Sequence, residues 1–167
     1  MLKLLSDVFL AADSQRVTLL VLLDLSAAFD CVDHDILLHR LLSSFGLAGK
    51  VLDWLRSFPT GRSHQVLRDG CLSELVMILF GVPHGSVIGH ILFILYMVEV
   101  FDIIAAYSVN CHCYADGMQV YASVPATMAD AESLRLVDCI VQLDQCMSKN
   151  RLKLNADKTP LIWLVTR

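Results

Sequence analysis

Residues 17–24 read VTLLVLLD. Val17 to Leu23 is a nearly continuous apolar run, the pattern of a strand covered on both faces. It stops at Asp24. A carboxylate seldom ends a buried strand unless it is paired or binds a cation. A second carboxylate lies in an apolar setting at Cys111 to Ala122, CHCYADGMQVYA. That segment reads as a β-hairpin, with Asp116-Gly117 as its tight-turn dipeptide and Asp116 at the tip. Two such carboxylates brought together suit Mg²⁺, which takes few carboxylates plus phosphate oxygens and water. A pair of ions about 3.5–4 Å apart polarises a phosphate and activates an attacking hydroxyl. Each residue alone also has a plain structural role: Asp24 ends a strand, and Asp116 makes a turn.

The rest of the chain alternates helix and strand. Leu5, Val8, Phe9 and Ala12 recur at helical spacing over residues 2–12, followed by a turn at Ala12 to Gln15. Asp33 is placed to cap a helix that turns Leu38, Leu41, Leu42 and Phe45 inward and ends at Gly46. A short helix carries Val51, Trp54, Leu55 and Phe58 and stops at Pro59. After a turn at Thr60 to Arg62, strands are expected around Val66 and Val76. The latter is a buried strand over about residues 72–80. A Gly/Pro loop over 81–86 and a buried helix over about 87–98 follow. Residues 127–149 form a long helix with Leu134, Val137, Val141 and Cys146 facing inward, closed by Asn150. Leu152 to Leu154 and Leu161 to Val165 are short strands. The order α-β-α-α-β-β-α-β-β-α-β-β is an α+β pattern without repeats or linkers.

Composition bounds what such a chain does. In 167 residues, 56% are apolar and 18% charged, with a mean hydropathy of +0.59. That excludes intrinsic disorder and exceeds what a self-sufficient soluble domain needs. Either a membrane segment or missing partner surface accounts for the excess. Leu75 to Val98 has no Asp, Glu, Lys or Arg, long enough for a span of about 20 residues. Its Gly81, Gly85 and Gly89 repeat the small-residue spacing of membrane helix contacts. Pro83, His84, Gly85, Ser86 and His90 interrupt it, so strand, loop and helix is the better reading. The net charge is −4 and the pI about 5.8, against the basic face usual in nucleic-acid binders. Asp7 interrupts the N-terminus before any long apolar segment forms, so no signal peptide is read and an intracellular location (cytoplasm or nucleus) is expected. The six Cys then read as reduced and mostly buried thiols. Cys111-His112-Cys113 lacks the second Cys pair of a zinc site and reads as strand-core thiols.

Five segments in order carry a family resemblance. Val17 to His34, VTLLVLLDLSAAFDCVDH, resembles motif A of reverse transcriptases from non-LTR (LINE-type) retrotransposons. Trp54 to Val66 is similar to the family's W-x-x-SYL-x-x-R-x-Q-x-V stretch. GVPHGSVIGH at Gly81 to His90 resembles motif B, usually GVPQGSVLGP. YADG at Tyr114 to Gly117 resembles the catalytic hairpin YADD, and NRLKLNADKT at Asn150 to Thr159 resembles motif D. The resemblance implies a polymerase palm, a small antiparallel sheet backed by helices, with part of the fingers and no thumb. Residues 1–167 would form one partial reverse transcriptase domain.

The activity implied is addition of deoxynucleotides to a 3′-OH on an RNA template, with Mg²⁺ held by Asp24 and Asp116. The Leu25 backbone would assist. Phe29 matches the steric gate against a ribose 2′-OH, and His84 and Gly85 lie in the loop under the incoming nucleotide. Lys158 matches the motif D lysine, which donates a proton to, or stabilises the charge of, departing pyrophosphate. It also reads as a solvated turn lysine.

The sequence departs from that pattern at the centre. Gly117 replaces the second hairpin Asp, leaving two of three carboxylates, and His84 replaces the motif B Gln. His90, Pro59 and Cys146 stand where Pro, Leu and Trp are usual. An inactive or severely impaired enzyme is expected, a pseudoenzyme fragment holding template, primer and dNTP weakly because few basic residues remain. Two alternatives are a non-catalytic remnant that self-associates or binds a partner through exposed apolar surface, and a membrane protein spanning 75–98.

Overall fold

The computed structural model describes residues 2–83 and 85–165. They fall into two compact units, Met1–Ser26 with Val98–Arg167, and Ala27–Met97.

The first unit is built on strand β1, Arg16–Leu23. Two later strands, β6 (Asn110–Tyr114) and β7 (Gly117–Pro125), form the expected hairpin. A short β8, Leu161–Leu164, completes a four-stranded antiparallel sheet in the order β6-β7-β1-β8. β1 pairs with β7 from Arg16↔Pro125 to Leu23↔Met118, and with β8 from Thr18↔Leu164 to Val21↔Leu161.

Helices close both faces of that sheet. Helix α1, Leu2–Asp13, lies on the face of Leu20 and Tyr121, with Leu4 between them and Val8, Leu22, Ile162 and Leu164 around them. The Tyr121 hydroxyl donates to the Asp7 carboxylate at 2.6 Å and ties the helix down. Alternate residues Leu19, Val21, Leu23 and Val120 face the other way and are at most 2% exposed. There the long helix α6, Ala129–Lys149, buries Leu136, Cys139, Leu143 and Met147. Val21 and Leu136 line one small cavity on that side. Two covered faces explain why β1 has no polar alternation although the sheet is antiparallel.

The second unit is mostly helical. Asp33 caps α2 (His34–Ser43) as expected, its carboxylate accepting from Asp35 N at 3.0 Å and Ile36 N at 3.2 Å. Helix α3 spans Gly49–Ser57. Four short strands follow, with β2 (Arg62–His64) paired to β5 (Val76–Ile78) and β3 (Leu67–Arg68) to β4 (Cys71–Leu72). Helix α4 spans Val87–Tyr96. The buried Arg40 of α2 donates to the Tyr96 carbonyl and stands 5.1 Å from the centre of the Tyr96 ring.

Several expectations are corrected. The strand expected over 72–80 is shorter and not buried: it spans Val76–Ile78 on a two-stranded ribbon, and Leu72, Leu75, Val76, Met77 and Leu79 are all exposed. The helix expected over 87–98 stops at Tyr96, and a separate helix α5, Val98–Ala106, was not anticipated. No single helix among the described residues is long and apolar enough to cross a membrane. Leu154 makes only an isolated bridge to Leu25 instead of a strand. Hairpin pairing joins Tyr114 to Gly117, so the two turn residues are Ala115 and Asp116, one position earlier than read.

The helix faces are the main error. Leu5, Phe9, Leu42, Phe45, Val51, Trp54, Leu134, Val137 and Val141 are exposed, whereas Leu4, Ala11, Leu37 and Leu52 are buried. Each of these helices has apolar residues at helical spacing on more than one face, so periodicity alone selects none of them. Of the cysteines, only Cys139 is fully buried; Cys71 and Cys113 are exposed.

Leu143, fully buried on α6, is expected to cost about 2–5 kcal/mol on Leu143→Ala. Leu134→Ala on the opposite face should stay within about 0.5 kcal/mol. Urea unfolding of both variants checks which stripe faces the sheet. Tyr121 gives a second test. Burial first, then its bond to Asp7 and the Asp7 charge, push the phenol above its ordinary value. A group raised on folding contributes stability that is complete below its unfolded value of about 10 and lost above it. Unfolding free energy should therefore fall as pH rises past about 10, and Tyr121→Phe should remove that part of the slope.

Candidate active site

β1 delivers Asp24 to the end of the sheet, and the main chain fixes it there. The Asp24 carbonyl accepts from Asn155 N at 2.9 Å, and Ser26 N donates to the Lys153 carbonyl at 2.9 Å. These two bonds flank the Leu25↔Leu154 bridge. They leave the carbonyl of Leu25 itself out of that bridge.

The same return of the chain brings Lys158 back. It ends a 3₁₀ turn, Ala156–Lys158, and its Nζ lies 3.3 Å from Asp24 Oδ2. The pair is largely open to water, with side-chain exposures of 69% for Lys158 and 33% for Asp24. Its contribution to stability is therefore small, about 0–1 kcal/mol.

Asp24 and Lys158 open into a cleft of about 730 Å³. Its other walls include His112, Cys113 and Tyr114 from β6 and Gly117 from β7. Asp116, half-buried at the hairpin tip, is not among the lining residues. Ala115 precedes it at φ +53°, whereas Asp116 is not in the positive-φ region. That sign pattern is the one of a type II′ turn, whose first position favours glycine.

Gly117 is not demanded by the backbone. Its φ is not positive. A Cβ there would meet the Tyr114 carbonyl at 3.5 Å, an ordinary contact. A Cβ therefore has room at this position.

The donor set falls short of a two-ion centre. Among the described residues no group of three or more His, Cys, Asp or Glu is placed to hold a metal. Asp24 is the carboxylate lining the cleft, and Lys158 already balances its charge.

Phe29 and Gly85 belong to the second unit. The Phe29 ring packs on Phe93 at 4.8 Å and on His90 at 5.0 Å between centroids. Gly81 lies against the same segment at φ +86°; a Cβ there would stand 2.9 Å from the Phe29 carbonyl oxygen. At Gly89 a Cβ would come within 2.6 Å of the Pro83 carbonyl oxygen. Close backbone approach inside this unit thus accounts for two of the three glycines that suggested a membrane contact. Gly85, at φ +74°, is exposed and just precedes Ser86, which caps α4. His84 lies outside the described residues.

The reading of the sequence did not single out His112, Cys113 or Tyr114 as walls of the cleft. Their placement as the last three residues of β6, beside the hairpin tip, was the available signal.

The reverse transcriptase (RNA-dependent DNA polymerase) family model matches residues 2–163. The chain belongs to this family. A 77-residue stretch is 38% identical to an RNA-directed DNA polymerase from the mobile element jockey of Drosophila funebris. It covers 46% of this chain and 8% of that protein. Among solved structures, an apo telomerase from Candida tropicalis, truncated from its C-terminal domain, superimposes with a TM-score of 0.72 at 13% identity. The match covers 99% of this chain and 35% of that one. A Candida albicans telomerase bound to a fragment of telomeric RNA gives 0.69 at 14% identity, over 96% of this chain and 31% of that one. These structures share the fold. The reverse transcriptase domain therefore spans about a third or less of the proteins it is compared with.

Room at position 117 has a measurable consequence. Gly117→Asp is expected to fold normally, with unfolding free energy changed by less than about 1 kcal/mol. It should tighten Mn²⁺ binding on the order of ten-fold, about 1.4 kcal/mol, read by the loss of the free-ion paramagnetic resonance signal.

Proposed function

We propose that this retroelement-related reverse transcriptase domain is severely impaired in RNA-templated DNA synthesis. Asp24, Asp116 and Lys158 are assigned whatever activity remains. The observation that carries the reading is Gly117: the backbone leaves space for a Cβ, and the residue supplies no side chain and so no carboxylate. Mg²⁺ in such enzymes polarises the phosphate and activates the attacking hydroxyl, work worth several kcal/mol. Losing one ligand of that centre removes orders of magnitude in rate.

The remaining assignments follow the motifs. Phe29, held by Phe93 and His90, acts as the gate against a ribose 2′-OH. Gly85 and His84 contact the incoming nucleotide. Lys158 serves the departing pyrophosphate. Its 3.3 Å contact with Asp24 supports a lysine directed at the charged end of β1 rather than one that merely solvates a turn. RNA template, DNA primer and dNTP are bound weakly.

The exposed stripe Leu134, Val137 and Val141 on α6 supports self-association as a second property of the chain.

Primer extension by the purified chain, with an RNA template, a DNA primer, dNTPs and Mg²⁺, tests the main reading. No extension above background is expected. Robust extension that Asp24→Ala abolishes would overturn the impairment.

A further inference from the structure

Two thiols stand side by side at the edge of the sheet. Cys111 and Cys113 are two residues apart on the edge strand β6, so their side chains share one face. Their sulfurs are 3.5 Å apart. Cys111 is half-buried, Cys113 is exposed, and Cys113 lines the cleft with Asp24 and Lys158.

That separation discriminates between two chemistries. A disulfide needs its sulfurs at about 2.05 Å and its Cα atoms within about 6.8 Å. Residues i and i+2 of a strand are roughly 6.8 Å apart at Cα, the outer edge of that range. Closing the bond would pull the strand together beside the hairpin turn. A single soft atom bridging two thiolates asks for less. Two sulfurs on one tetrahedral zinc, at about 2.3 Å each, are roughly 3.8 Å apart. The observed 3.5 Å is near that span. Zinc itself wants four ligands, and no third or fourth ligating side chain is grouped here among the described residues.

We propose that Cys111 and Cys113 form a bidentate dithiol site for a soft, thiophilic centre that takes two thiolates and brings its own third substituent, a trivalent arsenical being the fitting class. The reaction is a condensation without electron transfer. R–As=O and two thiols give R–As(S–Cys)₂ and water: two S–H bonds break, two As–S bonds form, and the oxide leaves with both protons. The hydrogen bond between the two sulfurs lowers the Cys113 thiol from its ordinary value and raises Cys111. The exposed sulfur is thus the one primed to attack first. Once bound, the group occupies the wall of the cleft that holds Asp24.

Intact-mass measurement of the full chain treated with phenylarsine oxide tests the site. One adduct per chain is expected, stable to excess 2-mercaptoethanol and released by 2,3-dimercaptopropanol. Cys113→Ser, a change at an exposed position, should abolish it, as should Cys111→Ser. Cys31→Ser, Cys71→Ser and Cys146→Ser should retain it. Retention of the monothiol-resistant adduct in Cys113→Ser would overturn the proposal, as would its absence from the unmodified sequence. So would a Cys111–Cys113 disulfide that diamide forms readily in a chain taking no arsenical, since the thiols would then prefer to meet directly.

Discussion

Everything in the first unit depends on β1 being covered on all sides. β7 and β8 take its two hydrogen-bonding edges, and α1 and α6 take its two faces. Leu19, Val21 and Leu23 are almost completely buried, each contributing about 1.5–3 kcal/mol of transfer free energy. A strand enclosed in this way cannot carry a charge along its length. It meets water only at its ends, and Asp24 is the first residue beyond one of them. Burial of the strand therefore fixes where the carboxylate stands.

The surroundings of Asp24 follow from that placement. The Asn155 N–H and the Lys153 carbonyl tie the end of β1 to the returning chain, which sets Lys158 against the carboxylate. The β6–β7 hairpin brings its tip to the same end of the sheet. At that end, position 117 of the hairpin holds hydrogen in place of a side chain. Because Gly117 has neither a positive φ nor a crowded Cα, its presence is not a requirement of the turn. Burial and pairing of β1 involve no contribution from a side chain at 117, so the sheet is insensitive to the loss.

Legibility of the sequence differed by element. β1, the β6–β7 hairpin and the Asp33 cap were readable, since each is a local pattern with its own physical cause. The burial of 72–80 was not. An apolar run reads as core, and only the pairing of β2 with β5 reveals a ribbon with exposed side chains. The inward faces of α1 and α6 were likewise hidden. Leu134, Val137 and Val141 are as well spaced as Leu136, Cys139 and Leu143. The choice between two such stripes is made by the surface of the sheet they meet. The site was half legible: Asp24 and Asp116 stood out as carboxylates in apolar settings and Lys158 through its resemblance to motif D, whereas His112 and Cys113 carry no such signal as walls of the cleft.

By itself the sequence determined β1, the strands of the β6–β7 hairpin and the Asp33 cap, the order of the motifs and the residue types at the end of β1, because these depend on neighbours within a few positions. Family membership rests on the same information. The tertiary structure decided which faces are buried, that Lys158 meets Asp24, that position 117 has room for a Cβ, and that two thiols stand 3.5 Å apart. Those are distances, several of them between residues far apart in the chain. They exist only once apolar burial has brought the strands and helices together.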